Sequence, residues 1–292
     1  MKVLVFTPRK GDLPEEYVEF RSQVENLQRL GAFGETKFVF KSLSGMSINM
    51  ARNAGAHLAR SNQMDKLLFL DTDILPTPEN LIRLVSHDVP VVAGLYVKRN
   101  GHMSWLGRHL EGAETDPETG LVEYEDLPTG FMCIDVRKCL DPMIAKMPEI
   151  EFDAVDDPDA KAQQFSRMHE FFPMGITGPS SWREKFEDIK RAHEEIKDPE
   201  KLQWKIGEIL KRRMGVRIFR GEDYHFCWLA RKAGLKVYAD WKCCVHHKGS
   251  AVYPLNPQFV VELADKIRAK LPEAPKEDEI PDFTTNEPSE KR

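Results

Sequence analysis

The sequence predicts an α/β protein in which strands alternate with helices around a mostly parallel sheet. Short apolar runs of strand length are followed by segments in which apolar residues recur every three or four positions. Turn and capping residues separate the two kinds of segment. Because such alternation is typical of right-handed crossovers between parallel strands, we expect a Rossmann-like sheet flanked by helices. The 292 residues, 41% of them hydrophobic, suffice for one large α/β domain or two small ones.

The first 95 residues contain predicted strands and helices in strict alternation. The strands are the apolar runs at residues 3–6, 37–40, 66–70 and 89–95. The first helix begins near Glu15, and Gly31 ends it. The second takes Ser47 as its N-cap, and the third takes Thr77 as its N-cap with Pro78 in its first turn. Their predicted inward faces are Tyr17, Phe20, Val24, Leu27 and Leu30 in the first helix, Met50, Ala54 and Leu58 in the second, and Leu81, Leu84 and Val85 in the third.

The second half of the chain is less regular. Residues 97–126 are polar and contain turn signals, which indicate a hairpin or loop over the site. An acidic connection at 151–159 leads to a helical hairpin between about Ser181 and Met214, so that 151–215 is predicted to be an insertion. A helix after Glu222 and a strand at 236–239 complete the domain, which we expect to span 1–271. Residues 272–292 are charged and rich in proline, and we predict a disordered tail.

Composition excludes several classes of protein. The net charge of −5 and the pI near 6.0 give no overall basic field of the kind a dedicated DNA-binding protein has. No apolar run is long enough for a membrane span, and the amino terminus enters a strand directly, so we expect a cytoplasmic protein. The five cysteines show no CxxC pairing, which indicates reduced thiols.

The segment from Lys66 to Thr77 carries the first candidate site. Its strand ends in Asp71-Thr72-Asp73, which places two carboxylates beyond the carboxyl end of a buried strand. Such a pair suits a hard divalent cation, Mn²⁺ or Mg²⁺, that also binds phosphate oxygens. The alternative is that both aspartates only begin a turn and cap the next segment of the chain.

Two later features add to this one. Glu222 and Asp223 lie at the start of a predicted helix, where the helix dipole favours an ionised carboxylate that can accept a proton. His246 and His247 follow a predicted strand, and alternation lets only one of them face a metal. Together, a cation site, a carboxylate base and a late histidine are the parts needed to transfer a group from a pyrophosphate.

The sequence resembles nucleotide-sugar-dependent glycosyltransferases of the GT-A fold, most closely the family-two-like group. The matching segments are ARNAG at 51–55, LLFLDTDILPTPENL with its Asp-x-Asp motif, VVAGLY, LPTGFMCIDV, GEDYHFCWLARKAGLKVYAD and VHHKGS. They occur in family order over residues 1 to about 253, apart from the insertion. The acidic residue that often reads uracil in this family has no confident equivalent, so a UDP-sugar is the default donor only.

The resemblance implies a role for each matching residue. Asp71 would lie near the nucleotide ribose, Asp73 would ligate the metal, and Asp223 or Glu222 would be the base of an inverting transfer. His247 is favoured over His246 as the late metal ligand because the order His-Lys-Gly-Ser fits the family better. The wider site expected from the sequence includes Thr7, Pro8, Arg9, Arg52, Asn53, Thr72 and Lys98 for the nucleotide sugar, Asp71 as a further metal ligand, and Trp105, Thr129 and Gly130 for the sugar or acceptor.

Several assignments keep an alternative. Lys98, Arg99 and Arg108 could pair with diphosphate oxygens or be ordinary solvated charges. Trp105 could stack on a sugar or only anchor a loop. The acceptor could be a glycan or a hydroxylated nucleic-acid base. A nucleotidyltransferase and a non-catalytic nucleotide-sugar binding module are the alternative functions; the first would want a glycine-rich phosphate loop, and the second would not need Asp223.

Overall fold

The computed structural model describes residues 1–97, 107–153, 167–177, 182–211, 218–249 and 252–253. The longer strands belong to one sheet, and each of the other described strands has two or three residues. The strands are β1 (Lys2–Pro8), β2 (Lys37–Leu43), β3 (Lys66–Leu70), β4 (Ile74–Leu75), β5 (Val91–Leu95), β6 (Arg108–His109), β7 (Leu121–Asp126), β8 (Phe131–Asp135), β9 (Glu151–Asp153), β10 (Arg167–His169), β11 (Gly175–Thr177), β12 (Ile218–Arg220), β13 (Val237–Cys244), β14 (His246–Lys248) and β15 (Val252–Tyr253).

The helices occupy the predicted connections. They are α1 (Glu15–Arg29), α2 (Ile48–Ser61), α3 (Pro78–Ser86), α4 (Asp141–Lys146), α5 (Trp182–Glu195), α6 (Pro199–Lys211) and α7 (Glu222–Lys232). Ser47 and Thr77 are the N-cap residues of α2 and α3, as predicted. Thr77 forms a reciprocal capping box with Asn80, which satisfies two backbone donors at the start of α3.

The main sheet has eight strands in the order β2-β1-β3-β8-β5-β13-β7-β6. The pairs β1 with β2, β1 with β3, and β5 with β13 are parallel. Strand β8 lies antiparallel between β3 and β5, and β7 is antiparallel to β13. Six of the eight strands run in the same direction, and this mixed sheet flanked by helices confirms the predicted α/β class.

The predicted face of α2, Met50, Ala54 and Leu58, packs in one hydrophobic cluster, and further small residues of the helix are buried beside it. Ala51, Ala54, Ala56 and Ala59 are buried, whereas Met50 and Leu58 are only partly buried. Those two larger side chains pack with Ala54 and Met168 in a small cluster of their own. Small residues let α2 approach the sheet closely, and a Cβ at Gly55 would lie 2.8 Å from the Phe6 ring.

Residues 107–126 form a hairpin that extends the sheet rather than a loop over the site. β6 and β7 pair with each other, and β7 pairs with β13. The predicted helical hairpin corresponds to α5 and α6, which contact each other, with Ala192 and Ile209 buried. The predicted tail lies outside the described residues, and so does Ser181. Among the described helices, none is long and apolar enough to cross a bilayer.

Candidate functional site

A short three-stranded sheet brings the late histidine pair to the Asp-Thr-Asp turn. β4 follows the turn directly and pairs antiparallel with β14, with His247 opposite Ile74. The Lys248 amide donates a hydrogen bond to the Asp73 carbonyl at 2.7 Å. Sequence positions about 170 residues apart therefore meet beyond the carboxyl end of β3.

His247 is oriented by a backbone carbonyl. Its Nδ1 lies 2.7 Å from the Val97 oxygen, and because a carbonyl only accepts, Nδ1 carries the proton. In the neutral ring the lone pair is then on Nε2, which lies 3.7 Å from Asp73 Oδ2. His247 is buried, whereas His246 is exposed, so His247 is the histidine that faces the turn.

Asp73 and His247 fit a partial site for a divalent cation. A cation with ligand bonds of about 2.1 Å at angles of about 90–120° separates two ligand atoms by roughly 3.0–3.6 Å, close to the observed distance. Within the described ranges, no group of three or more His, Cys, Asp or Glu side chains is arranged to hold a metal. The remaining ligands of such an ion would be phosphate oxygens and water, as Mg²⁺ prefers.

Asp71 has a different partner. Both of its carboxylate oxygens accept hydrogen bonds from Arg52 Nη2, at 3.2 and 3.1 Å. Arg52 Nε also donates to Glu222 Oε1 at 3.3 Å, so one guanidinium joins two carboxylates. Arg52 is only 3% exposed and lies over the Phe69 ring. Asp71 therefore pairs with Arg52, and Arg52 is a buried link between Asp71 and Glu222. The expected roles of Asp71 and Arg52 at the metal and the nucleotide sugar stay predictions.

Asp223 differs from Glu222 in its surroundings. Burial, together with the neighbouring charge of Glu222, raises the pKa of Asp223 from 3.8 to about 6. The Tyr224 amide donates to Asp223 Oδ1 at 2.8 Å and Arg52 lies nearby, and both act in the opposite direction. The helix terminus alone predicted a firmly ionised carboxylate; burial and a like charge outweigh that effect here.

The side of Gly130 on which a Cβ would stand faces the Tyr96 side chain rather than open space. A Cβ at this position would lie 2.4 Å from the Tyr96 hydroxyl and 3.2 Å from Asp71 Oδ2. The Gly130 amide donates to the Tyr96 hydroxyl at 3.0 Å, and its carbonyl accepts from the Asp71 amide at 2.9 Å. Thr129 is also buried, and its hydroxyl has no hydrogen-bond partner within the part of the chain that the structure describes.

Two residues that were expected to contact the nucleotide, Thr7 and Asn53, form hydrogen bonds within the protein. The Thr7 hydroxyl shares a hydrogen bond of 2.6 Å with the Tyr17 hydroxyl, and Asn53 Oδ1 accepts from the Phe172 amide at 2.9 Å. Both side chains are buried, and these hydrogen bonds give each of them a structural role; their expected contact with the nucleotide sugar stays a prediction. Pro8 is buried at the end of β1, while Arg9 and Thr72 are half-buried at the same edge of the sheet.

The basic and aromatic candidates after β5 divide into two groups. Lys98, Arg99 and Trp105 lie outside the described residues. Arg108 donates from Nε to the buried Asp126 carboxylate at 2.7 Å and also contacts Glu125 at 3.4 Å. Arg108 thus neutralises a buried acid, and the expectation that it pairs with diphosphate is not supported.

Sequence reasoning did not single out Tyr96 as a site residue. Burial and the charge of Asp71 raise the pKa of Tyr96 well above its ordinary value, and Asp223 acts in the same direction. Its ring also contacts the edge of His247, with the ring centres 5.1 Å apart. Tyr96 therefore lies among the aspartate turn, the base candidate and the histidine; its signals in the sequence were its position at the end of a core strand and its place in the segment VVAGLY.

Comparisons with known proteins do not identify a family. No family model matches the chain, and no curated protein matches it. The similar solved structures include A197 from STIV, 15% identical, with a TM-score of 0.40 over 88% of this chain and 95% of that one. A Drosophila galactosyltransferase 7 in complex with manganese, UDP-Gal and xylobiose is 16% identical, with a TM-score of 0.29 over 49% of this chain and 51% of that one.

The galactosyltransferase LgtC, in complex with donor and acceptor sugar analogues, is similar to the same degree. It is 15% identical, with a TM-score of 0.26 over 51% of this chain and 64% of that one. The three likenesses are too distant to establish an activity, so the function has to rest on the chain's own geometry.

Proposed function

We propose that the protein is a metal-dependent glycosyltransferase that moves a sugar from a nucleotide diphosphate sugar to a hydroxyl acceptor with inversion. The single observation that carries this proposal is Asp223, a mostly buried carboxylate whose pKa is raised to about 6. It is electrostatically linked to the Asp71 turn through Arg52 and Tyr96. A base with a pKa near the working pH is suited to accept a proton from a hydroxyl.

Asp223 is a better candidate for the base than Glu222. Glu222 already accepts a hydrogen bond from Arg52, and this buried ion pair keeps its carboxylate engaged. Asp223 has no ion pair of this kind among the described residues, and its protein hydrogen bond comes from a backbone amide. In the proposed step, an Asp223 oxygen takes the acceptor proton as the acceptor oxygen attacks the anomeric carbon and the bond to the diphosphate breaks.

Asp73 and His247 would hold a Mn²⁺ or Mg²⁺ ion. When bound, such an ion would neutralise charge that develops on the leaving diphosphate. The protein's own part is to keep the two side chains in place: Val97 orients the histidine, and the pairing of β4 with β14 holds it opposite the turn.

The donor and acceptor are proposed by class. A UDP-sugar is the default donor, and a glycan or a hydroxylated nucleic-acid base is the acceptor to be screened. We assign residues 1–271 to the catalytic domain and place the acceptor region in the insertion at 151–215, which includes α5 and α6. The half-buried Arg9 and Thr72 remain candidates for nucleotide contacts.

A binding experiment tests the donor and metal part. The melting temperature would be measured with UDP and a panel of UDP-sugars, each with and without Mn²⁺, since a ligand stabilises the native state by RT ln(1 + [L]/Kd). We expect a shift that requires the metal in the wild type and is lost in Asp73→Asn. Equal calorimetric affinity for UDP with and without metal in the wild type would contradict the metal site.

A kinetic experiment tests the base. Asp223→Asn keeps the size and most hydrogen bonding but cannot take a proton, so kcat should fall by roughly 10²-fold or more with donor affinity nearly unchanged. Glu222→Gln is the matched control and should have the smaller effect. Collapse of turnover in the control with near-normal turnover in Asp223→Asn would reverse the assignment, and normal turnover in both variants would refute the inverting mechanism.

A further inference from the structure

We propose that Arg52 is a positioning residue that joins the donor side of the site to the helix that carries the base, and so decides which acidic residue of α7 is left to act. This inference rests on the proposed function and deepens it. Arg52 is 170 residues from Glu222 in sequence, and its hydrogen bond to Glu222 connects α2 directly to the start of α7.

The guanidinium of Arg52 contacts two elements, the turn after β3 and the start of α7. Nη2 donates to both oxygens of Asp71, directly after β3, while Nε donates to Glu222 at the first turn of α7. A planar guanidinium fixes the angle between its donors, so the two carboxylates are held at a set spacing. A lysine has one point charge at the same location and cannot reproduce that geometry.

Burial makes the link rigid. The Arg52 side chain is 3% exposed, and its guanidinium lies 5.2 Å from the centre of the Phe69 ring. Phe69 contacts Phe172 edge to face, and Phe172 stacks on Phe226 of α7. The aromatic contacts therefore run from β3 to α7 beneath the same ion pairs, and they leave the arginine little room for another rotamer.

The link has a chemical consequence for Asp223. With Glu222 paired to Arg52, the cation offsets part of the repulsion that a bare Glu222 would exert on its neighbour. Removing the cation should therefore raise the pKa of Asp223, and removing the Glu222 charge should lower it. The titratable and charged groups that act with Asp223 are Glu222, Tyr224 and Cys227 on α7, Arg52 on α2, and Tyr96 after β5.

Steady-state kinetics with a UDP-sugar and an accepted hydroxyl acceptor test the inference. We expect Arg52→Gln to lower kcat by about 10- to 100-fold, the loss typical of removing an orienting partner, and Arg52→Lys to recover only part of it. The acid limb of the kcat profile should move to higher pH in Arg52→Gln, to lower pH in Glu222→Gln, and back toward the wild-type position in the double variant. Arg60→Gln is the matched control, because Arg60 is on the same helix and pairs with Asp141 at the surface.

A second readout does not need turnover. Carboxyl ¹³C NMR, with the Asp223 signal assigned from Asp223→Asn, follows the titration of Asp223 in the wild type and in the same variants. The predicted order of midpoints is Arg52→Gln highest and Glu222→Gln lowest, with Arg60→Gln equal to the wild type. If Arg52→Gln does not fold, the double variant, which removes both buried charges, supplies the comparison with Glu222→Gln.

The outcomes separate this inference from the proposed function. Shifted midpoints in a protein that transfers no sugar would overturn the glycosyltransferase and leave the Arg52 link in place. An active enzyme in which Arg52→Gln matches Arg60→Gln in kcat and in its acid limb would overturn the role of Arg52 and leave the glycosyltransferase in place.

Discussion

Gly130 is a position at which one added carbon should disturb the whole site. An alanine Cβ there would lie 2.4 Å from the Tyr96 hydroxyl oxygen and 3.1 Å from the ring carbon that carries it. The hydroxyl would have to move, and with it the hydrogen bond of 3.0 Å from the Gly130 amide. Tyr96 is buried and contacts His247, so the displaced ring has no free space beside it.

The expected cost follows from these contacts. Overpacking a buried site costs about 1–3 kcal/mol, and a buried hydrogen bond contributes about 1 kcal/mol. Gly130→Ala should therefore lower the free energy of unfolding by about 2–4 kcal/mol, a large share of the roughly 5–15 kcal/mol that stabilises a typical domain.

A double-mutant cycle in urea isolates the clash. Tyr96→Phe removes the hydroxyl oxygen that the new Cβ would meet, so in that background Gly130→Ala should cost about 1 kcal/mol or less. Gly207→Ala, inside α6 with open space around its Cβ, should instead stabilise the protein by up to about 1 kcal/mol. An equal cost of Gly130→Ala with and without the tyrosine hydroxyl would refute the reasoning.

Three further predictions address charge and organisation. The buried Asp240 carboxylate contacts Arg83 at 2.6 Å and His87 at 2.8 Å, and these partners lower its pKa overall although burial tends to raise it. Asp240→Asn should therefore lower the free energy of unfolding by about 3 kcal/mol at pH 7. Urea titrations should show this difference disappearing as the pH falls through the lowered pKa. The pKa of Asp223 is shifted in the opposite direction, from 3.8 to about 6, so ionisation of Asp223 destabilises the fold. Asp223→Asn should therefore be more stable than the wild type by about 1–3 kcal/mol at pH 8. Melting curves should show this difference vanishing below about pH 4. Replacing 182–211, which contain α5 and α6, with a short linker should abolish transfer but spare UDP binding and slow donor hydrolysis, whereas loss of the folding transition would make this hairpin part of the core.

Local patterns along the chain determine much of this fold. The strands β1, β3 and β5 can be predicted from their apolar runs because a buried parallel strand needs consecutive apolar residues. The start of α3 is visible because Thr77, Pro78 and Asn80 satisfy backbone groups within four residues. The position of the Asp-Thr-Asp turn at a strand exit is indicated by the same local signals.

Contacts between distant residues were decided by the tertiary structure alone. Strand β8 enters antiparallel between β3 and β5, and no period along the sequence records that pairing. Glu222 comes to Arg52 from 170 residues away and makes it a buried link, a contact that no sequence pattern indicated. The contact of Gly130 with the Tyr96 hydroxyl likewise joins residues 34 positions apart. Sequence patterns indicate which residues can be buried and which can ionise. The partner that each of these residues contacts is decided by packing in the tertiary structure.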